Sequence, residues 1–98
     1  MTNPFIEISE APPLEWLVLN EQTQVASKDG QVVAIAYTVE ASDSRGETWL
    51  EFCWIPVDEP DLVEVHFGVA PGTGSAWDTR WERARRATEW DYAMRARR

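Results

Sequence analysis

The chain has one cysteine, one histidine and one lysine among its 98 residues, and each scarcity removes a class of protein. A lone Cys53 cannot close an internal disulfide, so a disulfide-stapled secreted scaffold is excluded and a reducing cytosol is the expected compartment. A single histidine, His66, leaves a zinc site short of its usual ligands. Neither C-x-x-C nor H-E-x-x-H spacing is present, so no metal and no cofactor are expected. No apolar run approaches the roughly 20 residues of a membrane span, and no membrane association is expected. Met1-Thr2-Asn3-Pro4 has neither a basic n-region nor an apolar h-region, so no secretory leader is expected. Internal repeats and low-complexity segments are absent.

Bases are also few. Nine stand against 17 acids, for a net charge of −8 and a pI near 4.5. That balance argues against direct nucleic-acid binding, whose affinity comes from cations displacing the counterions of the phosphates. The length supports one domain, 1–98, burying roughly 65% of the surface its unfolded chain exposes. Its 44% hydrophobic and 27% charged residues are ordinary for a globular protein.

The strongest local signal is Asp29-Gly30, the dipeptide that supplies positive φ to a two-residue type I′ hairpin loop. Period-two alternation then predicts strands over 31–41 (Val33, Ile35, Tyr37, Val39), 48–55 (Leu50, Phe52, Trp54) and 63–69 (Val63, Val65, Phe67, Val69). Loop chemistry at 42–47 and 56–61 separates them. The short links make neighbours antiparallel. Aligning the large apolar sets puts Tyr37 opposite Phe52 and Phe52 opposite Val65 on one buried face. The polar run 23–28 reads as an edge strand. Phe5-Ile6-Glu7-Ile8 reads as a short strand, and 12–19 as a strand in preference to a turn or two of helix.

Ser75 and Asp78 have the spacing of a helix capping box. From there the chain has no Gly or Pro, so one long helix is predicted over about 76–97. Trp77, Trp81, Ala84, Thr88 and Tyr92 form its stripe, with Ala87, Trp90 and Met94 on an adjoining flank. Glu82–Arg86 and Asp91–Arg95 are spaced as i,i+4 pairs. The expected fold is therefore α+β: an antiparallel meander of four to five strands, about 5–70, with one C-terminal helix on one face.

Three features bear on function. The assumed register sends Glu40, Glu51, Cys53, Glu64 and His66 to the outer sheet face, with Glu51 across from His66 and Cys53 across from Glu64. A carboxylate beside an imidazole orients a general base, and these are zinc-ligand types. The plain alternative is a half-solvated face with a weak Glu–His pair, and Cys53 among carboxylates is poorly placed to become a thiolate. No enzyme activity is expected. Pro71-Gly72-Thr73-Gly74-Ser75 precedes a helix as phosphate loops do. It lacks G-x-x-x-x-G-K-[ST], so it reads as a tight connector.

The second feature is six tryptophans, too many for one small core. Trp54, Trp77 and Trp81 are expected inside. Trp49, on the outer face beside Glu40, and Trp90, on the helix flank, are the candidate exposed anchors. The third is charge segregation. Residues 76–98 hold seven arginines against four acids, a net +3, whereas 1–75 hold two bases against thirteen acids, a net −11. The loop acids Asp43, Glu47, Asp58, Glu59 and Asp61, with Trp49 and Trp90, are thus the candidate partner-binding residues.

The expected function is that of a small acidic, non-catalytic inhibitor docking on a basic, nucleic-acid-binding site of a partner protein, as phage-encoded anti-defence DNA mimics do. A dimeric cytosolic adaptor or chaperone, paired through Trp90, is the first alternative. A small enzyme or metal protein using Glu51, Cys53, Glu64 and His66 is the second.

Overall fold

A computed structural model describes residues 11–70 and 77–96. Five strands, β1 (Glu15–Asn20), β2 (Thr23–Lys28), β3 (Gln31–Ser42), β4 (Thr48–Pro56) and β5 (Glu64–Val69), precede one helix, α1 (Trp77–Ala96). The strands form one antiparallel sheet in sequential order, and α1 packs on one face: an α+β fold. Residues 5–8, the capping serine and the glycine-rich connector lie outside the described residues.

Local chemistry explains the turns. Asp29 and Gly30 have φ of 52° and 82°, the pair of positive values that a type I′ loop demands. In the β3–β4 loop, Gly46 has φ 83°. There Asp43 Oδ1 accepts from the backbone N–H groups of Arg45 and Glu47 at 2.9 and 3.0 Å, so Asp43 organises its own turn.

The β3–β4 register differs from the expected one by a single residue, which inverts the faces of β3 relative to β4, and Phe52 pairs two residues further along β5 than expected. Tyr37 pairs with Cys53 and Thr38 with Phe52; Phe52 pairs with Phe67. The core beneath α1 is built from Ala26, Ala34, Ala36, Phe52, Trp54 and Val69 with Trp81 and Ala84 of the helix. Small alanines of β2 and β3 thus face the helix instead of Ile35, Tyr37 and Val39, while Val33, skipped where the β2–β3 register shifts, also packs against the core. The reason is volume: close packing pairs bulky residues with small ones. Trp54, Phe52 and Trp81 fill the space that three alanines leave. Phe52 stacks on Phe67 at 4.8 Å and meets Trp81 edge-on at 5.2 Å.

Two further corrections follow from the topology. Strand β2 is interior, between β1 and β3, and among the described strands β1 and β5 are the outermost. The polar look of β2 is deceptive, because Gln24 is buried and receives Arg85 Nε at 2.7 Å. In β5 the pairing steps from Phe52↔Phe67 to Cys53↔Val65, so His66 is an extra, bulged residue. A bulge turns a side chain away from strict alternation, and His66 faces the helix.

The helix stripe is as the spacing predicts at Trp81, Ala84, Thr88 and Tyr92. Thr88 is fully buried and returns its hydroxyl to the Ala84 carbonyl at 2.9 Å. One buried residue of the helix was not anticipated. Glu89 lies beneath the helix, where its carboxylate accepts from Leu14 N (2.8 Å), Trp16 Nε1 (3.0 Å) and Arg86 Nη1 (2.7 Å).

Among the described residues the opposite face of the sheet stays open. Leu17, Val25, Ile35 and Ile55 are cross-strand partners in one row, and Thr23, Tyr37, Cys53 and Val65 in the next. Val39, Glu51 and Gly68 form a third. Among the described residues no element packs on this face. Leu17 is 61% exposed, Val65 53% and Val39 44%.

Candidate functional site

The expected constellation of Glu51, Cys53, Glu64 and His66 does not assemble. Glu51 and Cys53 lie on the open face, paired with Gly68 and Val65. Glu64 is on the helix side, where Trp54 Nε1 donates to its Oε2 at 3.1 Å. His66 stacks on Trp54, with ring centroids 6.3 Å apart. Glu40, also expected on the outer face, pairs with Leu50 on the helix-side set, so Trp49 is not beside it; Trp49 pairs with Ala41. The one-residue register change and the bulge at His66 together separate these groups.

His66 finds other partners. Its Nε2 lies 2.8 Å from Thr88 Oγ1 and its Nδ1 3.4 Å from Asp91 Oδ2. Carboxylate, imidazole and hydroxyl stand in the order used for nucleophile activation. The accessibility that chemistry requires is missing: Thr88 is fully buried, and its proton is directed at the Ala84 carbonyl. Burial lowers the His66 pKa from 6.5 to about 4, against an upward pull from Glu64, so the ring is neutral at pH 7. The group joins β5 to α1 and offers no exposed nucleophile.

Cys53 is equally unreactive by placement. It is buried on the open face, and desolvation first, then the Glu51 charge, raise its pKa, with a Tyr37 hydrogen bond opposing them. A thiol so placed stays protonated. Among the described residues no cluster of three His, Cys, Asp or Glu side chains is arranged to hold a metal ion.

The candidate partner-binding residues occupy four places. Asp43 and Glu47 are exposed in the β3–β4 loop. Asp58, Glu59 and Asp61 are exposed in the β4–β5 connection, but Arg95 of α1 reaches Asp58 at 3.4 Å and Glu59 at 2.7 Å. Part of that acidic loop is therefore answered from within the molecule. Trp49 and Trp90 are half-buried instead of exposed. The Trp49 indole lies against Gly68, where a Cβ would stand 3.2 Å from its Cδ1. Trp90 borders a groove between β5 and α1 with Phe67, Arg83 and Asp91. Its indole N–H is buried and has no hydrogen-bond partner among the described residues.

What the sequence did not disclose is the open apolar face. Its signal was present in Ile35, Tyr37 and Val39, a set large enough to look like core. No family model, curated protein or solved structure matches this chain. Among the described residues no helix is long and apolar enough to cross a membrane.

Proposed function

We propose that this chain is a non-catalytic protein-binding protein that docks its acidic sheet side on a basic, nucleic-acid-binding site of a partner protein and thereby inhibits it. The observation that carries this reading is the layering of charge. Arg80, Arg83, Arg85, Arg86 and Arg95 all belong to α1. Arg86 is held by Glu89, and Arg95 by Asp58 and Glu59. On the sheet side, among the described residues, Glu15, Asp43, Glu47 and Glu51 have Lys28 and Arg45 as the basic residues of their own and adjoining strands and loops, whereas Glu21 shares a surface pocket with Arg85 of α1. The two layers are about 10 Å apart, more than the ~8 Å Debye length at physiological salt. The helix arginines therefore do not neutralise the acids across the sheet, which remain to attract and orient a basic partner. The buried free thiol of Cys53 suits a reducing, cytosolic setting.

The test is capture from source-cell lysate at low and high salt, using the wild type and an Asp43→Lys/Glu47→Lys/Asp61→Lys variant. These three acids avoid the Arg95 pair; because Asp43 also holds the β3–β4 turn through Arg45 N and Glu47 N, a Glu47→Lys/Asp61→Lys variant that keeps Asp43 is measured beside it and reads contact charge alone. The reading expects a basic protein that is held at low salt, released at high salt, displaced by duplex DNA and lost by both variants. Capture indifferent to salt, to DNA and to charge reversal sinks it.

A further inference from the structure

The open face of the sheet poses a specific physical problem. Its rows bring Leu17, Ile35, Ile55 and Val65 to one surface, and Leu17 and Val65 are more exposed than buried. Contiguous exposed apolar surface of this kind marks an interaction site. The charges on the face are of one sign: its paired residues include Glu15 and Glu51 and no Lys or Arg.

We infer that this face receives a basic, amphipathic α-helix of a partner protein. The inference rests on the proposed reading of a basic partner and adds its shape and its seat. The sheet itself supplies the precedent. On its other side it already holds an arginine-rich helix through an apolar stripe of Trp81, Ala84 and Tyr92. Five strands at about 4.8 Å spacing span about 20 Å, room for a helix about 10 Å across with its flanking side chains over the outer strands. Lysines or arginines on those flanks would meet Glu15 and Glu51, while its apolar stripe would cover Ile35 and Ile55.

A second copy of this chain fits less well. Sheet against sheet, it brings the same Glu15 and Glu51 and another net charge of −8. With its helix turned outward it offers Asp78, Thr79, Glu82 and Arg83, the exposed positions of α1 among the described side chains, none of them apolar.

The experiment uses labelled peptides of about 14 residues, the length of helix that spans the face. One is a Leu/Lys amphipathic helix, the second its Leu/Glu counterpart, the third a Leu/Lys peptide of scrambled pattern. Each is titrated with the wild type, with Leu17→Gln/Val65→Thr, which keeps the charge, with Val57→Thr/Val63→Thr in the β4–β5 connection as the off-face control, and with Asp43→Lys/Glu47→Lys. The expected result is binding of the patterned Leu/Lys peptide alone, weakened about tenfold by Leu17→Gln/Val65→Thr and unchanged by the off-face control. Amide shifts of the unmutated protein should then change at Ile35, Ile55 and Val65, a readout that needs no variant to fold.

Equal binding to the Leu17→Gln/Val65→Thr variant or to the scrambled peptide overturns the inference. So does a wild-type dimer that this variant converts to monomer, which would make a second copy the occupant. The two levels separate cleanly. Loss of binding on Asp43→Lys/Glu47→Lys without loss on Leu17→Gln/Val65→Thr removes the face and leaves the acidic docking intact. Equal binding of the Leu/Glu and Leu/Lys helices removes the basic-partner reading itself.

Discussion

Glu89 and Trp16 are 73 residues apart in the chain, and the Glu89 Oε2 accepts the Trp16 indole N–H at 3.0 Å. The same oxygen accepts Leu14 N, and the other carboxylate oxygen holds Arg86. This one buried side chain ties edge strand β1 to the middle of α1. Glu89→Ala leaves the Leu14 and Trp16 N–H groups without their acceptor and removes the Arg86 ion pair, so it should cost about 3 kcal/mol in urea unfolding. Glu89→Gln retains an acceptor and should cost less. Equal losses for the two variants would show that volume, not hydrogen bonding, sets the effect.

His66 gives stability a pH dependence of definite sign. Its folded pKa, about 4, lies below the ordinary 6.5, so between those values the unfolded chain takes up a proton that the folded chain refuses. Stability should therefore fall as pH drops from 6.5 towards 4, and this contribution should level off below 4. His66→Gln should flatten that segment of the curve, which urea midpoints at half-unit pH intervals would reveal.

The choice of sheet face can be tested directly. Ala36 has no exposed surface under α1, so Ala36→Leu should overpack the core and cost about 1–3 kcal/mol. Val39→Thr, on the open face, should change the thermal midpoint little. The register expected from the sequence would reverse the ranking.

Arg95 spans the two charge layers by gripping Asp58 and Glu59. Both acids are more than half exposed, so Arg95→Ala should cost under about 1 kcal/mol in stability. It should also free the acidic loop and tighten capture of a basic partner at low salt. Isothermal titration of wild type and variant against the captured protein measures that change.

Cys53 should resist thiol reagents in the native state, because burial and the Glu51 charge keep it protonated. Ellman's reagent should label it only as fast as the chain opens, and at full rate in urea. Rapid native labelling at pH 7 would contradict the burial.

Where each residue's own preferences dictate the outcome, the sequence was legible. Asp29-Gly30 could announce its turn because only a few residues accept two successive positive φ values. Strand limits along β2, β3 and β4 followed from alternation and loop chemistry. The register was not legible, because both faces of β3 are apolar: Ile35, Tyr37 and Val39 on one, Ala34 and Ala36 on the other. Size favoured the first set, whereas packing against Trp81 selected the second. The bulge at His66 left no local mark either, and it alone moved the only histidine from a solvent-facing position to a buried one.

The scarcities of the sequence retain their force. With one cysteine and one histidine, chemistry depended on where those two residues fell. By itself the sequence determined the α+β class, the order of the elements and the division of charge between sheet and helix, since these depend on local periodicity and composition. Only the tertiary structure decided which sheet face met the helix, that Glu89 would be buried, and that Arg95 would answer Asp58 and Glu59. Those outcomes turn on volume complementarity and on partners more than thirty residues away, which no local pattern encodes.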